Sequence, residues 1–135
     1  MLATILSEYP SEVRLVFKDM PLRMHSLARP AHEAARCAGA EGRYWSYHDR
    51  LFAEQPRFER GDLIRYAEEV GLDGQRFARC LDERRYTADV DADLAQASAL
   101  GITGTPTFVI NNQILVGAHP IETFREAIAE ALQRR

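Results

Sequence analysis

The stretch Gly101-Ile-Thr-Gly-Thr-Pro-Thr-Phe-Val-Ile110, followed by Asn111-Asn112 and Ile114-Leu-Val116, sets a proline directly at the entrance of a strand. Proline has no backbone N–H, so within a sheet it is confined to edges, strand starts and bulges. Thr107–Ile110 is rich in β-branched and aromatic residues and Asn-Asn is a turn signal, so the run reads as a two-strand hairpin. A cis Thr105–Pro106 bond is one physical option: it turns the chain sharply and leaves the backbone of Thr105 facing outward, although such a proline can also serve only to orient the hairpin. Backbone groups so placed can pair with another extended chain. Thr105 and Pro106 are therefore the candidate substrate-binding residues, and an extended or unfolded polypeptide is the candidate partner.

Composition narrows the remaining classes. A chain of 135 residues predicts one domain, and 46% hydrophobic with 27% charged residues is ordinary for a globular one. The net charge of −3 and the lack of a basic cluster argue against nucleic acid. No apolar run approaches the ~18 residues that span a bilayer. The start, MLATILSEYP, has no basic segment ahead of its apolar residues and does not read as a secretory signal.

Periodicity orders the elements. Leu2, Ile5, Leu6 and Tyr9 share a helical face that Pro10 ends. Val13, Leu15 and Phe17 alternate with Arg14 and Lys18, which predicts a strand over 12–18. Residues 27–100 are helical by period. Ala31, Ala34, Ala35 and Ala38 form a small-residue stripe, and Tyr44, Tyr47, His48 and Leu51 an aromatic one. Leu63, Tyr66, Ala67 and Val70 follow, closed by Gly71. Asp73 caps a helix with Phe77, Cys80 and Leu81 inside, and Val90, Leu94 and Ala97 mark another that ends at Gly101. After the hairpin, Pro120 opens a last helix with Ile121, Phe124, Ile128 and Leu132 on one face.

Cys37 and Cys80, 43 positions apart on different helices, fit either buried thiols of the core or a structural disulfide. A displaced redox pair fits less well, because neither has the exposed, electropositive setting of a reactive thiol. His25, His32, His48 and His119 lack metal-ligand spacing, so no metal is expected. His48 lies on the aromatic stripe and reads as a packed, hydrogen-bonded residue, and His119, just before Pro120, as a helix cap. Trp45 with Tyr44 and Tyr47 follows helix packing rather than a ligand cage.

Five phrases in order carry a resemblance: Val13–Leu22 (VRLVFKDMPL), Glu33–Ala38 (EAARCA), Tyr44–Phe52 (YWSYHDRLF), Gly71-Leu-Asp73 with Phe77–Leu81 (FARCL), and Gly101–Phe108 (GITGTPTF). Together they resemble the DsbA-like branch of the thioredoxin superfamily. The resemblance implies an α/β, thioredoxin-like fold with an all-helical insertion. The single domain 1–135 would comprise core portions 1–26 and 101–135 and an insertion over 27–100. It implies that Thr105–Pro106 is cis and lies beside active-site cysteines, and it points to a thiol–disulfide oxidoreductase of extracytoplasmic type that needs no cofactor.

The departure from that family is as informative. The family carries a strand and a Cys-x-x-Cys at a helix start ahead of the segment that opens this chain, and no Cys-x-x-Cys occurs here. The thiolate at that helix start is the nucleophile of disulfide exchange. The expectation is thus a fold incomplete at its N-terminus, with no catalytic residues and no turnover as this chain. A homodimer is expected to close the gap left by the absent strand. Two alternatives stand beside it: a redox-silent peptide-binding module, and a glutathione-dependent, isomerase-like relative.

Overall fold

The computed structural model describes residues 1–134. Its elements are α1 (Leu2–Glu8), α2 (Ala28–Ala40), α3 (Tyr44–Ala53), α4 (Arg60–Glu69), α5 (Gly74–Asp82), α6 (Thr87–Ala99), β1 (Thr107–Ile110), β2 (Gln113–Val116) and α7 (Ile121–Gln133). They fall into two compact units: Asp19–Ala97, and Met1–Lys18 with the stretch from Ser98 onward.

The unit Asp19–Ala97 is helical because its apolar residues recur at helical spacing, and α4 and α5 begin with capping side chains. The Asp73 carboxylate accepts from the N–H groups of Gln75 and Arg76 at 2.9 and 3.0 Å. The Asp62 carboxylate accepts from the Glu59 N–H at 3.2 Å. Gly71, at φ +91°, takes the left-handed position after α4. Ala31, Ala34, Ala35 and Ala38 are all buried, and this narrow face lets α3 and α5 come close to α2. Gly39 extends the face, since a Cβ there would stand 3.3 Å from the Tyr44 ring. Tyr47, Leu63 and Tyr66 fill the centre with no exposure, each contributing about 1.5–3 kcal/mol by burial. The hydroxyls do not oppose this. Tyr47 donates to the Leu63 carbonyl at 2.9 Å and Tyr66 to the Arg57 carbonyl at 2.7 Å.

The turn from α5 to α6 holds a non-glycine residue where glycine is usual. Arg84 has φ +53°, and the N–H groups of Arg84 and Arg85 donate to the carbonyls of Leu81 and Cys80. The side chain explains the choice. The Arg84 guanidinium donates to Glu33 at 2.8 Å, and Glu33, with 3% exposure, takes a second arginine, Arg29, at 3.1 Å.

In the other unit, β1 and β2 pair antiparallel, with Thr107 opposite Val116 and Ile110 opposite Gln113. Asn111, at φ +54°, makes the turn. Phe108, Ile110 and Leu115 face α1 and α7, where Ile5, Phe124, Ala127 and Ile128 are buried. Phe108 meets Phe124 edge to face at 4.7 Å. Arg125 on α7 pairs with Glu8 on α1.

The expected strand over 12–18 is corrected by the structure. The alternation is real: Val13, Leu15 and Phe17 are half-buried while Arg14, Val16 and Lys18 are exposed. The segment nevertheless joins no sheet, and among the described residues the one sheet is β1–β2. Alternation reports which side chains turn inward, whereas a strand also needs a neighbour to accept its backbone bonds.

Candidate functional site

Thr105 and Pro106 are both exposed, directly ahead of β1, and the peptide bond between them is cis. Their surroundings are fixed by hydrogen bonds on either side of Thr105. The Thr107 hydroxyl donates to the Gly104 carbonyl at 2.7 Å. The Gly117 N–H donates to the Pro106 carbonyl at 2.8 Å, which extends the ladder one pair beyond Thr107 and Val116. Between these anchors, no described residue pairs with the backbone N–H or C=O of Thr105. A free donor and acceptor held on a fixed turn is the arrangement from which an extended chain can take main-chain hydrogen bonds.

Gly117 has φ +90°, a conformation open to glycine, and it sends the chain back toward β2. His119 does not cap α7. The helix starts with Pro120 at its N-cap and no side-chain hydrogen bond there. Instead the His119 ring lies over β2, with Nε2 at 2.8 Å from the Val116 carbonyl oxygen. A carbonyl only accepts, so Nε2 carries the hydrogen.

The cysteines lie in the helical unit. Cys37 on α2 and Cys80 on α5 form a disulfide with Cα atoms 6.1 Å apart. Both are buried in the apolar core, and among the described residues no cysteine is free. Disulfide exchange begins with an attacking thiolate, and among the described residues neither sulfur stands free as a thiol.

A charged cluster in the same unit escaped the sequence reading. Asp19 is 3% exposed. Its carboxylate accepts from Arg36 Nε at 2.5 Å and lies 2.8 Å from His32 Nδ1. Asp93 on α6 accepts from Arg36 at 2.8 Å and from the Asp19 N–H at 2.8 Å. Burial alone would raise the Asp19 carboxyl. The hydrogen bonds from His32 and Arg36 outweigh it and leave the group below its ordinary range. Burial pushes the nearby Tyr44 hydroxyl up, and the Asp19 charge adds to that. This cluster fastens α6, whose expected apolar face of Val90, Leu94 and Ala97 buries only Val90 fully. His48, also on the aromatic stripe, packs its ring 4.6 Å from Phe52 and 5.2 Å from Trp45, with Nδ1 at 3.3 Å from Asp49.

With this geometry established, comparison with known proteins decides the family. The model of the DSBA-like thioredoxin domain matches residues 2–129. The chain belongs to that family. Its fold is accordingly thioredoxin-like, with seven helices and a small two-stranded sheet among the described residues. A solved structure of a thioredoxin-like oxidoreductase from Silicibacter pomeroyi superposes with a TM-score of 0.87. It is 27% identical and covers 98% of this chain and 75% of that one. Two curated relatives bear other names. Na(+)/H(+) antiporter NhaA 3 of Salinispora tropica is 38% identical over 128 residues, and Na(+)/H(+) antiporter NhaA of Herminiimonas arsenicoxydans is 34% identical over 128 residues. These alignments take in 94% and 95% of this chain but 20% of each relative, so the chain spans about a fifth of the curated relatives it matches. Among the described residues no helix is long and apolar enough to cross a membrane.

Proposed function

We propose that residues 1–135 are the polypeptide-holding part of a thiol–disulfide oxidoreductase domain, gripping extended chains at Thr105–Pro106, and that they turn over no disulfide by themselves. The observation that carries the binding half is the unpaired N–H and C=O of Thr105 on a loop anchored at Gly104 and Pro106. The chemical half rests on the joined Cys37 and Cys80 and on the absence of Cys-x-x-Cys from the chain. The same reading divides the domain into core portions 1–26 and 101–135 and a helical insertion over 27–100. It also places a second copy of the chain over the open edge of β1, as a homodimer. Light scattering at low micromolar concentration tests the dimer, and a cooperatively folded monomer would exclude it.

The experiment for the site is a titration of 15N-labelled protein with reduced, carboxymethylated insulin B chain, an extended polypeptide with no free thiol. The Thr105 amide resonance is expected to shift and its exchange to slow as it gains a partner. Saturating peptide that leaves Thr105 unmoved overturns the reading.

A second reading concerns context. The identity to proteins named as Na(+)/H(+) antiporters, over a fifth of their length, supports a role for this domain as an appendage of a longer transport protein. There, polypeptide holding would serve an attached partner rather than a free substrate. Affinity purification of the full-length protein with and without residues 101–120 tests it, because loss of a bound polypeptide is expected only in the second case.

A further inference from the structure

We propose that His119 is the positioning residue of the Thr105–Pro106 loop, acting through Gly117; the proposal rests on the polypeptide-binding reading above. The argument begins with what proline lacks. Pro106 and Gly117 occupy a hydrogen-bonded position of the hairpin ladder, where each residue ordinarily gives an N–H and takes one. Gly117 gives its N–H to the Pro106 carbonyl at 2.8 Å. Pro106 has no N–H to return, so the Gly117 carbonyl loses its cross-strand donor. The backbone N–H of His119 fills that role, donating to the Gly117 carbonyl at 3.1 Å.

The ring of the same residue makes the second attachment. In an antiparallel pair, hydrogen-bonded and non-hydrogen-bonded positions alternate. Val116, next to Gly117, therefore stands at a position whose carbonyl turns away from β1. The His119 imidazole donates to that carbonyl from Nε2 at 2.8 Å. Backbone and side chain of one residue thus hold the carbonyls of two successive residues, Val116 and Gly117. With these fixed, the Gly117 N–H is aimed at the Pro106 carbonyl, and the Thr107 hydroxyl holds the Gly104 carbonyl from the other side. Thr105 lies between two pinned carbonyls, so its free N–H and C=O are oriented before any polypeptide arrives. Pre-orientation of this kind lowers the ordering cost of binding. A side chain on an exposed loop does this without contact with the bound chain.

The test titrates the wild-type chain, His119→Ala and His119→Gln with fluorescently labelled, reduced and carboxymethylated insulin B chain. Hydrogen exchange of the Gly117 amide is read in each unliganded protein. His119→Ala is expected to weaken binding about three- to tenfold, the effect of one neutral hydrogen bond, and to speed Gly117 exchange by a similar factor. His119→Gln keeps an N–H donor at the reach of Nε2 and is expected to stay within about twofold of wild type in both readouts. Equal affinities in wild type and His119→Ala overturn the proposal, as does a glutamine variant as weak as the alanine one. If the wild type binds no peptide at Thr105, the binding reading has failed and the Gly117 exchange rate decides alone. An unchanged rate in His119→Ala then refutes the positioning role, and an accelerated one upholds it.

Discussion

Replacing Arg36 by methionine tests how the helical unit is held together. Methionine keeps most of the apolar stem and removes the guanidinium, so the change isolates charge from packing. Arg36 serves two carboxylates at once, Asp19 at 2.5 Å and Asp93 at 2.8 Å, whose side chains are 3% and 9% exposed. Breaking a fully buried pair costs about 3–5 kcal/mol, because the remaining charge loses its partner without regaining water. Here Arg36 itself is 28% exposed, so solvent already screens part of the interaction. Asp19 retains His32, and Asp93 retains the Asp19 N–H. The expected loss is therefore about 2–3 kcal/mol, a sizeable share of the ~5–15 kcal/mol margin of a domain this size. The pH dependence has a definite sign. A carboxyl held below its ordinary value contributes stability above the unfolded pKa, about 3.9, and loses it as pH falls through the folded value. Without Arg36 the Asp19 carboxyl keeps only His32 and protonates at a higher pH than in the wild type, so the deficit of Arg36→Met is full at pH 7 and shrinks as pH falls toward the wild type's folded value. Urea unfolding followed by Trp45, the one tryptophan and a residue of α3 in the same unit, measures it. A deficit below about 0.5 kcal/mol at pH 7, or one equal at pH 3.5 and pH 7, refutes the argument.

Replacing Cys37 and Cys80 together by alanine opens a 43-residue loop and is expected to cost about 4 kcal/mol by the chain-entropy relation; urea unfolding with and without reductant checks it, and a loss under about 1 kcal/mol would falsify the cross-link's role. At Arg84, glycine and alanine remove the same side chain but differ at φ +53°, so Arg84→Ala is expected to be less stable than Arg84→Gly by about 1 kcal/mol in thermal melts, and identical melting curves would count against backbone strain there. An insulin-reduction assay of residues 1–135 is expected to stay at the buffer rate, since no described cysteine is free; activity that disappears in Cys37→Ser would show that the bonded pair exchanges.

The helices were legible because the information that makes them is local. Ala31, Ala34, Ala35 and Ala38 declare a face within two turns, and Asp73 caps an N–H two residues away. The buried charges were not legible, because their partners are remote. Asp93 meets Arg36 across 57 positions and the Asp19 N–H across 74. No window of sequence shows that an aspartate on α6 belongs inside. The same limit explains why the apolar face expected of α6 is not the face it buries: Leu94 and Ala97 stay half-buried while Asp93 is buried. The segment over 12–18 shows the limit from the other side. Its alternation correctly ranked Val13, Leu15 and Phe17 inward, yet a ladder depends on what lies alongside, which alternation does not encode.

His119 shows the same dependence on a remote partner. Beside Pro120 it looks like a helix cap, because caps are the local use of a polar residue before a helix. Its work is set by a proline thirteen positions earlier, which is about two strands and a turn away in the chain. Pro106 withholds one N–H, the Gly117 carbonyl is left over, and the chain must bend at Gly117 to bring a replacement donor from His119. Once bent, the ring falls over the Val116 carbonyl. The missing donor of a single imino acid thus propagates across the hairpin and fixes a histidine in the turn beyond the far strand. Asking which backbone group each proline leaves without a partner, and where in the topology a donor could be found, would have led from Pro106 to the turn after β2 before any side chain was placed.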